Sequence, residues 1–307
     1  VLHGLHLYAN SHDTYEIKNP VDLITFTKLV QRNATMASRN YILTNCIDMS
    51  SLASDAYVAP TSPFTGRLYS EYGTIVNVDS QTKQATVDGC EHNHFIPDIT
   101  TNYHSIWNFR TVNASKGTKT VYALVNELSG TIENINFINY SCAFNYEQAL
   151  QGNIVYCGSV AGAVLEGGVI NNVNVYGDIA LPSGSYGAIY IGGLVGINSG
   201  TISNSSFAGK IDGGVHTLTG ALINQNGIGG IAGTSQGGTF ENLINTARII
   251  GLSFSTDNTT SSTYIGGIIG SGAYASVKNV INEGMIISHN NAQGYLANVY
   301  IGGIISK

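Results

Sequence analysis

Charged residues are scarce in this chain of 307 residues. Lys, Arg, Asp and Glu make up 10% of it, against roughly a quarter in ordinary soluble domains. The formal net charge is −6, which argues against a nucleic-acid partner because neutralising phosphates requires a basic face. No run of about 18 apolar residues occurs, so the sequence predicts no membrane span.

Cysteine and proline are also rare, with 4 and 5 residues. The cysteines lie at positions 46, 90, 142 and 157, too few and too widely spaced for a small fold held together by disulfides. Cys142 and Cys157 could meet across neighbouring structural units and form a disulfide. The alternative is that they are buried free thiols, which pack as small apolar residues.

Recognisable catalytic and cofactor motifs are missing. The sequence has no phosphate-binding loop, zinc-finger spacing or nucleophile elbow, and we assign no catalytic, metal-binding or cofactor-binding residue. His92 and His94 could bind a metal with Glu91 or Cys90, but two histidines without a third predicted ligand are more typical of a solvated loop. The acidic residues of the second half are sparse, and we expect them on solvated outward faces rather than paired in a catalytic site. They are Glu133, Glu166, Asp178, Asp212, Glu241 and Glu283.

Glycine is abundant, with 37 residues, and much of it recurs in one phrase. Tyr190-Ile-Gly-Gly-Leu-Val-Gly196 is followed by three similar copies, each with a pair of glycines. The first glycines of the four pairs are 37, 37 and 36 residues apart. Such a period indicates a solenoid, in which each repeat buries its apolar face against the next. The glycine pairs allow tight bends or close backbone approach. They are Gly192 and Gly193, Gly229 and Gly230, Gly266 and Gly267, and Gly302 and Gly303.

A second phrase keeps step with the glycine pairs and ends in an asparagine. The apolar alternation slips its phase at this asparagine, as expected if the residue turns a corner between two strands. Asparagines stacked at such corners can hydrogen-bond to one another and to backbone groups that the bend leaves unpaired. We predict this structural role for Asn134, Asn172, Asn204, Asn242 and Asn279.

The first fifty residues have a different pattern. Asn19 and Pro20 predict a helix start, with a helix ending near Asn33, followed by a strand over 39–48. We interpret residues 1–50 as a cap on the open end of the solenoid. Residues 51–121 are predicted to be irregular early coils with long loops, and residues 122–307 the regular repeats. Within the repeats, 211–226 and 252–263 are predicted to be bulging loops.

These phrases resemble the GLUG-type repeat of large bacterial and protist surface or secreted proteins. The similarity extends upstream, where 19–26 and 41–50 resemble the segment that often precedes such repeats. Phe64-Thr-Gly66 is similar to the next element of the family, although Arg67 and Leu68 stand where an Asp-Gly pair is usual. The resemblance implies an all-β, right-handed parallel β-helix with a short N-terminal helical cap. It implies surface display, adhesion or assembly, and it transfers no catalytic residue.

We therefore expect an extracellular or cell-surface structural protein that serves in adhesion or in assembly of a filament or coat, without a cofactor. The sequence stops inside a fresh repeat, so we expect Tyr300, Ile301, Ile304 and Ile305 to form an assembly end. Its partner would be a second copy in a head-to-tail contact or a continuation of the same chain. The alternative is a β-helix that binds or cleaves carbohydrate through the loops of 51–121, with a surface glycan as its partner.

Overall fold

Parallel strands stacked in register along one axis form the body of this protein. The computed structural model describes residues 4–71, 75–79, 84–87, 94–95, 104–142, 153–181, 185–218, 225–254, 262–288 and 298–307. The fold is all-β with a short N-terminal helical cap, as predicted from the sequence. None of the helices in these ranges is long and apolar enough to cross a membrane.

The N-terminal part alternates short strands with a helical segment. Its elements are β1 (Thr14–Ile17), α1 (Pro20–Arg32), α2 (Ala34–Ala37), β2 (Asn40–Leu43), β3 (Ile47–Asp48), a 3-10 helix (Met49–Ser51) and β4 (Arg67–Ser70). The helix predicted to begin at Pro20 does so, because the Asn19 side chain accepts a hydrogen bond from the Asp22 amide at 2.9 Å and caps the first turn. The strand predicted over 39–48 is divided into β2 and β3, with residues 44–46 between them.

The next elements are short strands, some of them outside the main stack. They are β5 (Ile75–Asp79), β6 (Gln84–Val87), β7 (His94–Phe95), β8 (Ser105–Trp107), β9 (Arg110–Thr111) and β10 (Ala114–Lys116). Strands β5, β6 and β7 pair antiparallel in a small separate sheet. Strand β8 pairs with β3 on one side and with a strand of the first regular coil, which contains residues 131–142, on the other. This irregular region therefore contributes to the solenoid as well as to the small separate sheet.

Every regular coil runs through three sheets in turn. In the first, β11 (Lys119–Tyr122), β14 (Ile154–Cys157), β18 (Ala188–Gly192), β22 (Gln225–Gly229), β27 (Ser262–Gly266) and β31 (Val299–Gly302) follow one another, with β10 at the edge. In the second, the order is β12 (Val125–Leu128), β15 (Ala161–Val164), β19 (Val195–Asn198), β23 (Ala232–Gln236) and β28 (Ile269–Ala273). We call the first of these the glycine sheet and the second the middle sheet.

The third, or asparagine, sheet is the largest. It runs in the order β1, β2, β4, β13 (Thr131–Cys142), β16 (Val169–Ala180), β20 (Thr201–Asp212), β24 (Thr239–Asn245) and β29 (Ser276–Asn282), and β3, β8, β9, β25 (Arg248–Ile250) and β30 (Ile286–Ile287) flank it. The sequence predicts separate strands on the two sides of each corner asparagine. Instead, β13, β16 and β20 each continue through it as one bent strand.

The loops predicted at 211–226 and 252–263 also contain regular structure. Strands β17 (Ser185–Tyr186), β21 (Val215–Leu218) and β26 (Ser253–Phe254) pair in parallel and form a side sheet. The prediction of bulging loops was therefore wrong at Val215–Leu218 and Ser253–Phe254, which are paired strands, while residues 219–224 and 255–261 lie outside the described residues. Successive insertions at the same place in the coil can pair because the coils beneath them are already in register.

The core is a column of inward-facing apolar side chains shared by all three sheets. Equivalent positions in successive coils, such as Ile170, Ile202 and Phe240, have no exposed surface. They are also direct partners in the parallel register. Each coil therefore buries its apolar face only because another coil lies against it, as the repeat pattern predicts.

The N-terminal end of the column is closed. Helix α1 buries Leu23, Phe26, Leu29 and Val30, and the ring of Phe26 lies 4.9 Å from Tyr41 and 5.3 Å from Phe64. Residues 6–8 run antiparallel to β1, with the Glu16 amide donating to the His6 carbonyl at 2.8 Å. This end presents a helix and an antiparallel segment rather than an open parallel strand edge.

We predict that Phe26→Ala lowers the free energy of unfolding by about 3–5 kcal/mol, because it leaves a cavity under the cap. The control is Val21→Ala on the same helix, whose side chain is 61% exposed; its expected effect is within about 0.5 kcal/mol. Chemical unfolding followed by circular dichroism measures both. Equal effects of the two substitutions would contradict the role of α1 as a cap.

Candidate functional site

The five corner asparagines share an unusual backbone conformation. Their φ angles are 58° at Asn134, 54° at Asn172, 50° at Asn204, 55° at Asn242 and 50° at Asn279. This left-handed region is costly for most side chains and is tolerated by asparagine. A residue in this conformation reverses the inward and outward alternation of the side chains that follow it. The apolar pattern therefore shifts by one residue although the strand continues.

The side chains of these asparagines form a ladder along the outside of the stack. Asn172 Nδ2 donates to Asn134 Oδ1 at 3.0 Å, Asn242 to Asn204 at 3.0 Å and Asn279 to Asn242 at 3.1 Å. Asn204 is the exception, since its Nδ2 donates to Oδ1 of Asn171 at 2.8 Å. The amide nitrogens of these four donors, Asn172, Asn204, Asn242 and Asn279, all point to the preceding coil, so the ladder has a direction.

A second ladder lies in the early coils, where the sequence pattern does not reveal it. Asn139 Nδ2 donates to Asn108 Oδ1 at 2.7 Å, and Asn108 Nδ2 donates to Asp48 Oδ1 at 2.9 Å. Asn108 and Asn139 also have positive φ angles, 52° and 58°. Asn108 and Asn139 in the sequence are the only signal of this ladder. The irregular spacing of the early coils hides that the two residues lie at aligned bends.

The repeat glycines lie where successive backbones approach closely. A Cβ at Gly192, Gly229, Gly266 or Gly302 would overlap a carbonyl oxygen in its own coil, namely that of Val195, Ala232, Ile269 or Ile305. A Cβ on the second glycine of a pair would instead overlap a carbonyl of the next coil. Gly193 faces Gly230, Gly230 faces Gly267, and Gly267 faces Gly303. At Gly303, no heavy atom of the described residues lies within 4 Å of such a Cβ.

The last coil exposes positions that the preceding coil buries. Tyr264 is 7% exposed and its register partner Tyr300 is 49% exposed, while Ile265 has no exposed surface and Ile301 is 52% exposed. On the asparagine sheet, Ile281 is 49% exposed and its register partner Ile244 is 38% exposed, so this position faces outward in both coils. Ile304 and Ile305 behave differently, because both are half-buried against the core. The structure thus divides the predicted assembly end into an exposed pair and a pair that packs inward.

Some carboxylates on the body of the solenoid are paired with cations, among them those of Glu133 and Glu241. Glu133 accepts a hydrogen bond from Arg67 Nε at 2.6 Å, and Lys278 lies 2.9 Å from Glu241. The described residues contain no group of three or more His, Cys, Asp or Glu side chains placed to hold a metal. The predicted ligands His92, Glu91 and Cys90 lie outside the described residues, as does the side chain of His94. The metal hypothesis therefore stays a prediction.

A polar groove of about 350 Å³ opens beside the first coil. It is lined by Tyr8, Glu16, Lys18, Thr44, Asn45 and Glu71. The Tyr8 hydroxyl donates to Glu71. This hydrogen bond, with burial and the nearby negative charges, raises the pKa of Tyr8 to about 12. Lys18 lies 2.5 Å from Glu16, so both carboxylates of the groove have partners within the chain.

We predict that Asn204→Ala lowers the free energy of unfolding by about 2 kcal/mol, through left-handed backbone strain and loss of ladder hydrogen bonds. Asn204→Gly is the matched control, since glycine adopts the same φ without strain and loses only the side-chain bonds. Its expected cost is about 1 kcal/mol. Thermal unfolding of the two variants compares them, and equal destabilisation would show that the left-handed conformation contributes nothing.

We predict that Gly230→Ala destabilises the fold by about 3 kcal/mol or more, because the new methyl group overlaps the Gly267 carbonyl and the coils must separate. Gly303→Ala is the same change at the equivalent position of the last coil, where the described structure leaves space. Measured at a dilution where the chain is monomeric, it should change stability by less than about 0.5 kcal/mol. A harmless Gly230→Ala would contradict the close approach of the coils.

The fold occurs in a solved structure. The chain superposes on the crystal structure of a proposed immunoglobulin A1 protease from Bacteroides ovatus with a TM-score of 0.56. The two sequences are 18% identical, and the alignment covers 95% of this chain and 70% of that one. At this identity the likeness concerns the fold alone. No curated protein matches this chain in sequence.

The repeat also matches a known family. Residues 187–212 match the model of the GLUG motif. They comprise β18, β19 and β20, which is one complete coil with Gly192, Gly193 and Asn204. The resemblance predicted from the repeats is thereby confirmed. This protein is a parallel β-helix that carries the GLUG motif.

Proposed function

We propose that the protein is an extracellular structural β-solenoid whose last coil is a surface for adhesion or self-assembly. The observation that carries the proposal is the contrast between Gly303 and its three equivalents. At each of the equivalents, glycine accommodates the carbonyl of another coil; at Gly303 the same space is free. A strand of a second copy, or of a continuation of this chain, could bring its backbone as close to Gly303 as the coils are to one another.

The chemistry of the last coil supports docking of a β-strand. Strand β31 pairs with β27 in the glycine sheet and β29 pairs with β24 in the asparagine sheet, and each is the last strand in its sheet order. Edge strands present backbone donors and acceptors to another chain. The exposed Tyr300 and Ile301 lie on this edge, so hydrogen bonding and apolar burial would act together.

The difference between the two ends of the stack bears on the geometry of assembly. The N-terminal end is closed by α1 and residues 6–8, and a head-to-tail contact would place the last coil on those elements. Contact between two last coils, or with a further coil of the same repeat, would pair open strand edges instead. This supports a contact through last coils, or a continuation of the same chain, in preference to the head-to-tail contact expected from the sequence.

An extracellular location is supported by two features. Cys46 is disulfide-bonded, and stable disulfides are typical of oxidising compartments. The surface uses few charges and many neutral polar side chains, and its exposed ladders consist of asparagine carboxamides. Both features suit a secreted or surface-displayed solenoid, and localisation remains part of the proposal.

Carbohydrate binding is the second candidate, and the groove beside the first coil favours it. Tyr8, Thr44 and Asn45 supply an aromatic ring and neutral polar groups of the kind that contact sugar hydroxyls. Its two carboxylates are engaged by Tyr8 and Lys18, an arrangement that suits binding better than cleavage. A glycan array probed with the protein and with a Tyr8→Ala variant tests this role, and equal signals from both would remove it.

We predict that the purified chain associates in a concentration-dependent manner and that Gly303→Ala and Ile301→Asp abolish association. The first change fills the space for a docking backbone and the second places a charge on the apolar edge. Sedimentation velocity measures the association, and electron microscopy of the same samples shows the particle length. Val21→Ala at the opposite end is the control and should associate as the unsubstituted chain does. Monomers at every concentration would refute self-assembly.

A further inference from the structure

Two free thiols lie close together at one corner of the solenoid. Cys142 ends β13 in the asparagine sheet, and Cys157 ends β14 in the glycine sheet. Both are free, and their sulfur atoms are 3.5 Å apart. A disulfide bond is about 2.05 Å long, so the two sulfurs must approach by roughly 1.5 Å to become bonded.

The position of Cys157 makes the pair unusual within the repeat. In the parallel register of the glycine sheet, Cys157 pairs with Tyr122 on one side and Ile191 on the other. Ile191 in turn pairs with Ile228, so the later coils place a branched apolar side chain where this coil has a thiol. A thiol fills less space than isoleucine, and the second thiol, that of Cys142, lies against it.

The surroundings give the two thiols different roles. Cys142 is half-buried, whereas Cys157 has no exposed surface, so a reagent from solvent reaches Cys142 first. The Tyr140 hydroxyl lies 3.4 Å from Cys142 Sγ and 2.7 Å from Thr111 Oγ1. These contacts orient the Cys142 sulfur beside Cys157.

The acidities of the two thiols agree with this division. Burial opposes ionisation of Cys142, but hydrogen bonds with Cys157, Tyr140 and Thr111 outweigh it and lower the pKa of Cys142. The hydrogen bond to Cys142, together with burial, raises the pKa of Cys157. Because the thiolate is the attacking species, Cys142 is the thiol that reacts first.

We propose that Cys142 and Cys157 are an oxidisable pair that forms an intrachain disulfide and ties the asparagine sheet to the glycine sheet at this corner. The oxidant is a small-molecule or protein disulfide. The Cys142 thiolate attacks one of its sulfurs, forms a mixed disulfide and releases the first thiolate. Cys157 then loses its proton and attacks the Cys142 sulfur, which releases the second thiolate. Two protein thiols are oxidised, and one disulfide is reduced to two thiols.

The test is thiol counting by mass spectrometry on the whole chain. The protein is equilibrated with oxidised glutathione, denatured without reductant and alkylated. The expected result is loss of two alkylatable thiols relative to the untreated chain, together with a proteolytic cross-linked peptide that contains Cys142 and Cys157. Two thiols that remain alkylatable, or a stable glutathione adduct on Cys142 without the cross-link, would overturn the proposal.

Single substitutions identify the order of attack. Cys157→Ser should trap the glutathione adduct on Cys142, and Cys142→Ser should leave Cys157 unmodified during the same treatment. The direct mapping of the unsubstituted chain does not depend on these variants folding. Thermal unfolding of the oxidised chain should also occur at a higher temperature than that of the Cys142→Ser/Cys157→Ser variant treated in the same way. An adduct on Cys157 in the Cys142→Ser chain would contradict the proposed entry through Cys142.

Discussion

In-register hydrogen bonding between successive coils is the constraint on which the rest of this structure depends. Parallel strands are separated by about 4.8 Å, and three sheets share that spacing in every coil. A backbone held this closely leaves no room for a side chain at certain positions. The second glycines of the repeat meet the carbonyl of the next coil there, so the most conspicuous feature of the sequence follows from coil spacing.

The same constraint explains the asparagine ladder. The bend in each of these strands contains one residue in the left-handed region, and stacking places that residue at the same point in each coil. Asparagine tolerates this conformation, and its carboxamide both donates and accepts, so it is able to bond to the coils on each side. The early coils contain a similar side-chain ladder at another bend, formed by Asp48, Asn108 and Asn139.

The two end coils of the described stack differ from the interior coils, which are covered on both sides. At the N-terminal end, Phe26 fills the column from α1 and an antiparallel segment covers the first strand edge. At the other end, side chains such as Ile301 occupy positions that are buried one coil earlier. This difference in exposure supports the proposal that the last coil is covered by a second copy or by a continuation of the same chain.

The sequence by itself determined the repeat, the helix that begins at Pro20 and the parallel β-helix class. The helix follows from local propensity, and the repeat and the class follow from the regular spacing of the glycine pairs. It also located the bends at the corner asparagines, since a phase slip is visible in the apolar pattern. Only the tertiary structure decided that those bends lie within continuous strands and that segments such as Val215–Leu218 pair in a side sheet. It alone brought Cys142 to Cys157 and separated exposed Ile301 from inward Ile305. The physical reason is that pairing across coils and burial at the end of a stack depend on distant parts of the chain, which local patterns do not encode.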